Sequence, residues 1–370
     1  MEQKIKELCK NFNVNGNLKA FKYFSSGHIN TTVLVQFEYN GKINEYVLQK
    51  INKNVFKKPE DVMYNISNVT NYIKSQLENN GVSPSRKVLN FLKGKNNNFY
   101  TVDEDRDYWR MYKFVNRSVT YDNTDNLQIL EETGKAFGEF QRLLDGYPMS
   151  ELKIIIPHFH NTVNRYKIFK ETLLKNPLKR AFGVREEIIE YLNLENIATR
   201  MYKMQKAGEL KLRPTHNDTK CNNVLFDENS GEYLCVIDLD TTMPGLVCFD
   251  YGDAVRFACN TCSEDETNLQ KVKLDFAKFE ALTKGFTSRA GGSLTETEKA
   301  TLALGAITMT LECGVRFLTD YLDGDNYFKI NYPEHNLDRA RCQLTLAKDM
   351  IKNYDKMQQI VLDNCKEYEK

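Results

Sequence analysis

The sequence has no surplus of either charge: 51 basic residues face 50 acidic ones, a formal net charge of +1. That balance leaves no broad basic face for nucleic acid or an anionic membrane. Long apolar runs are also missing. The longest weakly polar stretch, residues 303–311, ends at Glu312, far short of the roughly 18 apolar residues of a spanning helix. The opening MEQKIKELCKNFNVNG alternates charges and lacks the apolar core of a signal peptide. These absences predict a cytoplasmic protein with neither a nucleic-acid nor a membrane partner.

Other expected partners are absent too. Cys259 and Cys262 form a CxxC with no second pair at zinc-finger spacing, and nine cysteines lie scattered along the chain. An odd, dispersed set predicts free thiols in a reducing compartment. His158 and His160 have no Cys or Asp close by in sequence, so they are expected to cap or pack rather than to bind metal. There are no internal repeats and no low-complexity linker.

What remains is an ordinary globular composition, 41% hydrophobic and 27% charged, in 370 residues. That length suggests two lobes sharing a cleft. Up to about residue 115 the pattern is β-rich. Tyr39-Asn40-Gly41-Lys42 is a hairpin turn between two β-branched and aromatic runs. Residues 58–80 have helical periodicity, with Pro59 and acidic residues in the first turn. Strands are expected at 98–102 and 108–115. From about residue 125 long helices dominate, at 126–145, 161–175, 184–207, 268–285, 295–322 and 336–366. One β-like island, 224–226 and 233–239, interrupts them. The expected domains are 1–115, a nucleotide-binding lobe, and 116–370, a helical catalytic and substrate-binding lobe.

The island is flanked by THNDTKCNNVLF (215–226) and VIDLD (236–240), polar clusters set between apolar runs. A hairpin joining them brings Asp238 close to the loop of Asp218 and Asn223. Such oxygen donors can hold a divalent cation and leave one carboxylate free as a base. Phosphoryl transfer needs that combination.

His216 to Asn223 matches the protein-kinase catalytic-loop pattern H-x-D-x-x-x-x-N, with Lys220 two residues after Asp218. Asp238 stands where the kinase DFG Asp stands, but Leu239-Asp240 follows in place of Phe-Gly. That departure resembles the aminoglycoside phosphotransferase and choline-kinase group of small-molecule kinases. Within it, SGHINTT (26–32), YVLQKINKNVFKKPEDVMYNI (46–66), VIDLDTTMPGLVCFDYGDAVRF (236–257) and LECGVRFLTDYLDGDNYFK (311–329) resemble the bacterial N-acetylhexosamine 1-kinases.

The resemblance implies an α+β, protein-kinase-like two-lobed fold with a nucleotide cleft between the lobes. It implies ATP- and Mg²⁺-dependent phosphorylation of the anomeric hydroxyl of GlcNAc or GalNAc. Asp218 would be the catalytic base and also touch substrate, and Lys220 would neutralise the transferred group. Asn223, Asp238 and Asp240 would bind magnesium. Ser26, Gly27 and Asn30 would cover the phosphates, adenine would lie against Lys113 to Val115, and Asp250 would anchor the catalytic loop. Either Gln49 or Lys50 would face the nucleotide, because strand faces alternate; likeness favours Gln49. His28, Arg316 and Tyr327 would contact the sugar. Bland readings stand beside these: a solvated Lys220, a turn role for Asp240, a plain turn at His28 and a salt bridge from Arg316 to Glu312. The alternative function is a kinase of another small alcohol or antibiotic, such as an aminoglycoside, choline or homoserine.

Overall fold

The computed structural model describes residues 2–24 and 30–366. Helix α1 (Glu2–Lys10) is amphipathic and buries Ile5, Leu8 and Cys9. Strands β1 (Asn17–Tyr23), β2 (Thr31–Tyr39) and β3 (Lys42–Lys50) follow. The β2–β3 hairpin closes at the Tyr39–Lys42 pair. Its two turn residues, Asn40 (φ 50°) and Gly41 (φ 74°), take the positive φ angles that a two-residue hairpin with right-handed strand twist requires. After α2 (Pro59–Asn79) come β4 (Thr101–Val102) and β5 (Tyr108–Lys113), completing a five-stranded sheet in the order β1-β2-β3-β5-β4.

One face of this sheet buries Val33, Val35, Phe37, Leu48, Trp109 and Met111 against α1. Helix α2 belongs to a different core: its Val62, Met63, Ile66, Val69 and Ile73 join the apolar interior of the helical half. The stretch after β5 is itself stitched down, because β6 (Ser118–Val119) pairs with β8 (Val224–Asp227). Both expected strands in this region are shorter than read. Chain near the ends of that reading is fastened irregularly, Gly94 by Asn98 and Phe114 by Glu45.

The helical half contains α3 (Leu127–Leu143), α4 (Thr162–Lys175), α5 (Arg185–Asn193), α6 (Glu195–Ala198) and α7 (Arg200–Lys206). It continues with β7 (Arg213–Thr215), the β8–β9 hairpin (β9, Tyr233–Val236), β10 (Met243–Gly245) and α8 (Val247–Ala258), and ends with α9 (Phe276–Ala290), α10 (Glu296–Asp323), α11 (His335–Lys352) and α12 (Tyr354–Lys366). The single helix expected at 184–207 is bent into α5, α6 and α7. Bonds from Ala198 to Leu194 and from Lys203 to Thr199 carry the helical ladder through both bends. The helix expected from residue 268 starts later, at the cap Asp275, whose carboxylate accepts from the N–H groups of Ala277 and Lys278. The run 336–366 divides at Asn353, whose side chain competes for the carbonyl of Asp349.

Helix α10 is the spine of this half. Thr295 and Glu298 form a capping box at its start, and Gly324 in the left-handed region (φ 108°) ends it. It is long and apolar enough to cross a membrane, but 89% of its apolar window is buried inside the protein. It is a core helix. It meets α8 at Gly252 and Gly305, where a Cβ on Gly252 would lie 2.3 Å from the Gly305 carbonyl oxygen. Only glycine permits that approach.

Candidate active site

Strands β7 and β10 pair antiparallel, as do β8 and β9. Residues 216–223 and 237–242 are the two passages between these small sheets, so the topology brings Asp218, Asn223, Asp238 and Asp240 into one region. Asn223 Nδ2 donates to the Asp218 carbonyl at 2.8 Å and to its Oδ2 at 3.1 Å. Lys220 Nζ lies 2.8 Å from Asp218 Oδ1. The backbone N–H of Ile237 donates to the Asn223 carbonyl at 2.8 Å, locking the two passages together.

The loop is anchored from beneath. Asp250 on α8 accepts from the N–H groups of His216 and Asn217, both at 2.8 Å, and from Gln141 Nε2 at 2.9 Å. This is the anchoring that the sequence reading assigned to Asp250. His216 packs edge-on between Phe137 and Phe140, and its Nε2 lies 2.9 Å from the Ile237 carbonyl. Asn217 (φ 64°) and Asp238 (φ 58°) both hold left-handed backbone that non-glycine residues seldom adopt. Such strain persists only where the surroundings over-determine it. The Asn217 amide does part of this, donating to the carbonyls of Thr215 at 3.2 Å and Thr241 at 2.9 Å.

Asp238 is solvent-exposed, unlike its buried neighbours Leu239 and Asp240. Surrounding protein, then Asp240 and Asp218, push its pKa up to about 6, while Arg110 and His216 pull it back. The exposure of the carboxylate to solvent tempers that shift. Asp240 is buried, with Oδ1 against Arg110 Nη1 and Oδ2 accepting from Asn30 Nδ2 at 2.6 Å. Asn30 in turn accepts from the Asn52 N–H at 3.0 Å.

Arg110 escaped the sequence reading. It sits in β5 opposite Gln49 and donates Nε and Nη2 to the Gln49 oxygen at 2.9 and 2.6 Å. Gln49 therefore faces Arg110 and Asp240, while Lys50 lies 3.2 Å from Asp107. The Lys113 N–H is bound to the Asn90 carbonyl, and the Val115 carbonyl accepts from Ser118 Oγ at 2.6 Å. Ser26, Gly27 and His28 lie outside the described residues.

On the far side, Arg316 stacks over Tyr327 and Phe328, 5.7 and 5.3 Å from their ring centres. Its expected alternative partner, Glu312, is bound elsewhere: Oε1 lies 2.8 Å from His160 Nδ1, and Oε2 accepts from Thr162 Oγ1 at 2.5 Å. His160 thus packs as expected and also touches the loop, with Nε2 3.3 Å from the Asn217 carbonyl oxygen. Asp253 and Arg256, one turn apart on α8, pair at 2.9 Å, and the charge of Lys220 bears on Asp253. A charged pair inside the apolar run FDYGDAVRF was the available signal for them. All nine cysteines are free thiols.

Among the described residues no three His, Cys, Asp or Glu converge on one point. The expected donors are an amide oxygen and two carboxylates, Asn223, Asp238 and Asp240; Asp218 is paired with Lys220 and Asp240 with Arg110, while Asp238 has no ion pair among the described residues. That set suits magnesium, which typically takes one or two carboxylates and completes its shell with water and phosphate oxygens.

The backbone is similar along nearly its full length to an aminoglycoside phosphotransferase from Alicyclobacillus acidocaldarius, with TM-score 0.62, 11% identity and 96% of each chain covered. It is also similar to a choline kinase from Cryptosporidium parvum, with TM-score 0.56, 15% identity and 98% and 99% covered. A spectinomycin phosphotransferase solved with ADP and spectinomycin aligns with TM-score 0.54, 12% identity and 98% of each chain. These likenesses show the fold: a kinase-like β-sheet lobe joined to a helical lobe. The model of the phosphotransferase enzyme family matches residues 20–280, more than half of the chain. With its loop anchored on Asp250 and its acidic residues gathered in the cleft, this chain is a member of the phosphotransferase enzyme family.

Proposed function

We propose that the protein transfers the γ-phosphoryl group of ATP to the anomeric hydroxyl of an N-acetylhexosamine, GlcNAc or GalNAc, in the cytoplasm. The observation that carries the phosphoryl-transfer reading is the contact set of Asp218 with Lys220 and Asn223, beside Asp238. The sugar assignment rests on the sequence resemblance described above. The β-rich lobe up to about residue 115 covers the nucleotide, and residues 116–370 supply the catalytic groups and the acceptor wall.

Asp218 orients the sugar hydroxyl and accepts its proton as the oxygen attacks phosphorus. Its geometry is fixed before substrate arrives, because Asn223 and Lys220 hold both carboxylate oxygens. Lys220 turns toward the transferred group as negative charge spreads over its oxygens. Asn223, Asp238 and Asp240 would hold magnesium, Asp240 also keeping Arg110 in place. Magnesium, when bound, draws charge from the phosphate oxygens.

The test is an assay of purified protein with ATP, magnesium and a panel of sugars, aminoglycosides, choline and homoserine, with product position read by phosphorus NMR. The expected product is an N-acetylhexosamine 1-phosphate. A 6-phosphate, or turnover of only aminoglycosides or amino alcohols, would overturn the assignment.

A further inference from the structure

Arg165 on α4 has a feature that the proposed chemistry does not use. Its Nη2 donates to the Phe159 carbonyl at 2.7 Å, yet its Nε is buried with no hydrogen-bond partner. Burial, then the charge of Arg316, pull its pKa down, and Glu312 and Tyr327 pull it back. Arg165 is thus fastened to Phe159, the neighbour of the His160 that meets Glu312, and both it and Arg316 are half-buried and near enough to feel each other's charge. Among the described residues neither has a carboxylate oxygen within 4.0 Å.

The carboxylates around them are committed elsewhere. Glu312 holds His160 and Thr162, and both Asp253 and Glu264 hold Arg256. Glu312 offsets part of the Arg165 charge without bonding to it, and the buried Arg165 Nε–H is left without an acceptor, an arrangement that is unfavourable unless something else answers it. The region adjoins the chemistry. His160 links Glu312 to the carbonyl of Asn217, the residue before Asp218. Arg316 lies one turn further along α10, about 6 Å by helical rise.

We propose that Arg165 is a specificity-determining residue which, with Arg316, makes the acceptor pocket select neutral, carbonyl- or hydroxyl-bearing acceptors and reject those carrying an ammonium group. This rests on the reading of Asp218 as the reacting centre. Guanidinium N–H groups donate only, so they match an amide carbonyl or a hydroxyl oxygen. A protonated amine offers them neither an acceptor nor an opposite charge. The same sugar ring with its amine free would be excluded, and so would polycationic antibiotics.

The experiment compares kcat/KM for N-acetylglucosamine and glucosamine across pH, in the native protein and in Arg165→Gln and Arg165→Lys. For the native protein, kcat/KM for glucosamine should rise at least tenfold as the sugar's own amine loses its proton, relative to the N-acetyl sugar. Arg165→Gln should narrow the preference measured at low pH by about tenfold through KM for the sugar, with KM for ATP unchanged. Arg165→Lys should keep the preference. A native glucosamine profile that stays parallel to that of the N-acetyl sugar would overturn the inference, and it needs no variant to fold. An unchanged preference in a folded Arg165→Gln would do the same. Turnover of neither sugar would remove the sugar-kinase reading and this inference with it. Turnover without charge discrimination removes the inference alone.

Discussion

His160 Nδ1 stands 2.8 Å from Glu312 Oε1, and the opposite nitrogen of the same ring stands 3.3 Å from the Asn217 carbonyl. The ring thus bridges a buried carboxylate and a backbone carbonyl, two acceptors on opposite sides of it. A residue of α10 thereby sets the position of the loop that carries Asp218. Glu312→Gln removes the charge from the carboxylate that His160 and Thr162 share. A hydrogen bond to a charged group typically contributes about 1.5–3 kcal/mol. The expected results are a lower Tm and a fall in kcat with KM for ATP little changed, read by thermal denaturation and steady-state kinetics.

Asp218→Asn retains shape and a hydrogen-bonding oxygen but cannot take a proton. If Asp218 is the base, kcat falls by about 10² to 10⁴-fold. Affinity for ADP, measured calorimetrically, should stay close to that of the native protein. A near-native kcat would remove Asp218 from the proposed role.

Arg110 and Asp240 form a pair in which both side chains are 3% exposed. Arg110→Met should destabilise the fold by about 3–5 kcal/mol, because the carboxylate is left without its cation. The double variant Arg110→Met/Asp240→Leu should recover much of that loss, since replacing both partners removes the unpaired charge. Urea unfolding of the two single variants and the double variant gives the coupling directly.

Arg213 enters β7 held by Glu298 at 2.7 Å and Asp145 at 2.8 Å. Burial acts to raise the Glu298 pKa, but Arg213 and the Thr295 N–H outweigh it and hold the carboxyl below its ordinary value of 4.5. A depressed acid stabilises the fold above its unfolded pKa, and that contribution is lost as pH falls through the folded value. The Tm difference between the native protein and Glu298→Gln should therefore be full at neutral pH and shrink progressively below about pH 4.5. A difference that grows on acidification would reverse the sign.

Local chemistry made part of this protein legible before any coordinates. The Asn40-Gly41 turn announces its hairpin because few residues accept positive φ. Asp218, Asn223 and Asp238 declare themselves because fixed spacing around a short hairpin dictates where they meet. The rest depends on contacts between distant residues. Arg110 between Trp109 and Met111 reads as one polar residue in a strand until Asp240, 130 positions on, is seen against it. His160 and Glu312 are 152 positions apart, and neither has a local signal. The bends after α5 and α6 escaped because their helical hydrogen bonds continue through them, so the periodicity barely changes.

The contact of Gly252 with Gly305 ties the proposed acceptor wall to the anchor of the loop that carries Asp218. Helix α8 carries Asp250, which anchors the loop of Asp218, and α10 carries Glu312, bound to His160, and Arg316, a proposed acceptor contact. With the two backbones touching, neither helix can shift without carrying the other. A larger residue at either glycine would disturb loop anchoring and, on the proposed function, acceptor fit together. Changes in the proposed acceptor preference are therefore more readily accommodated at exposed Tyr327 than at this crossing.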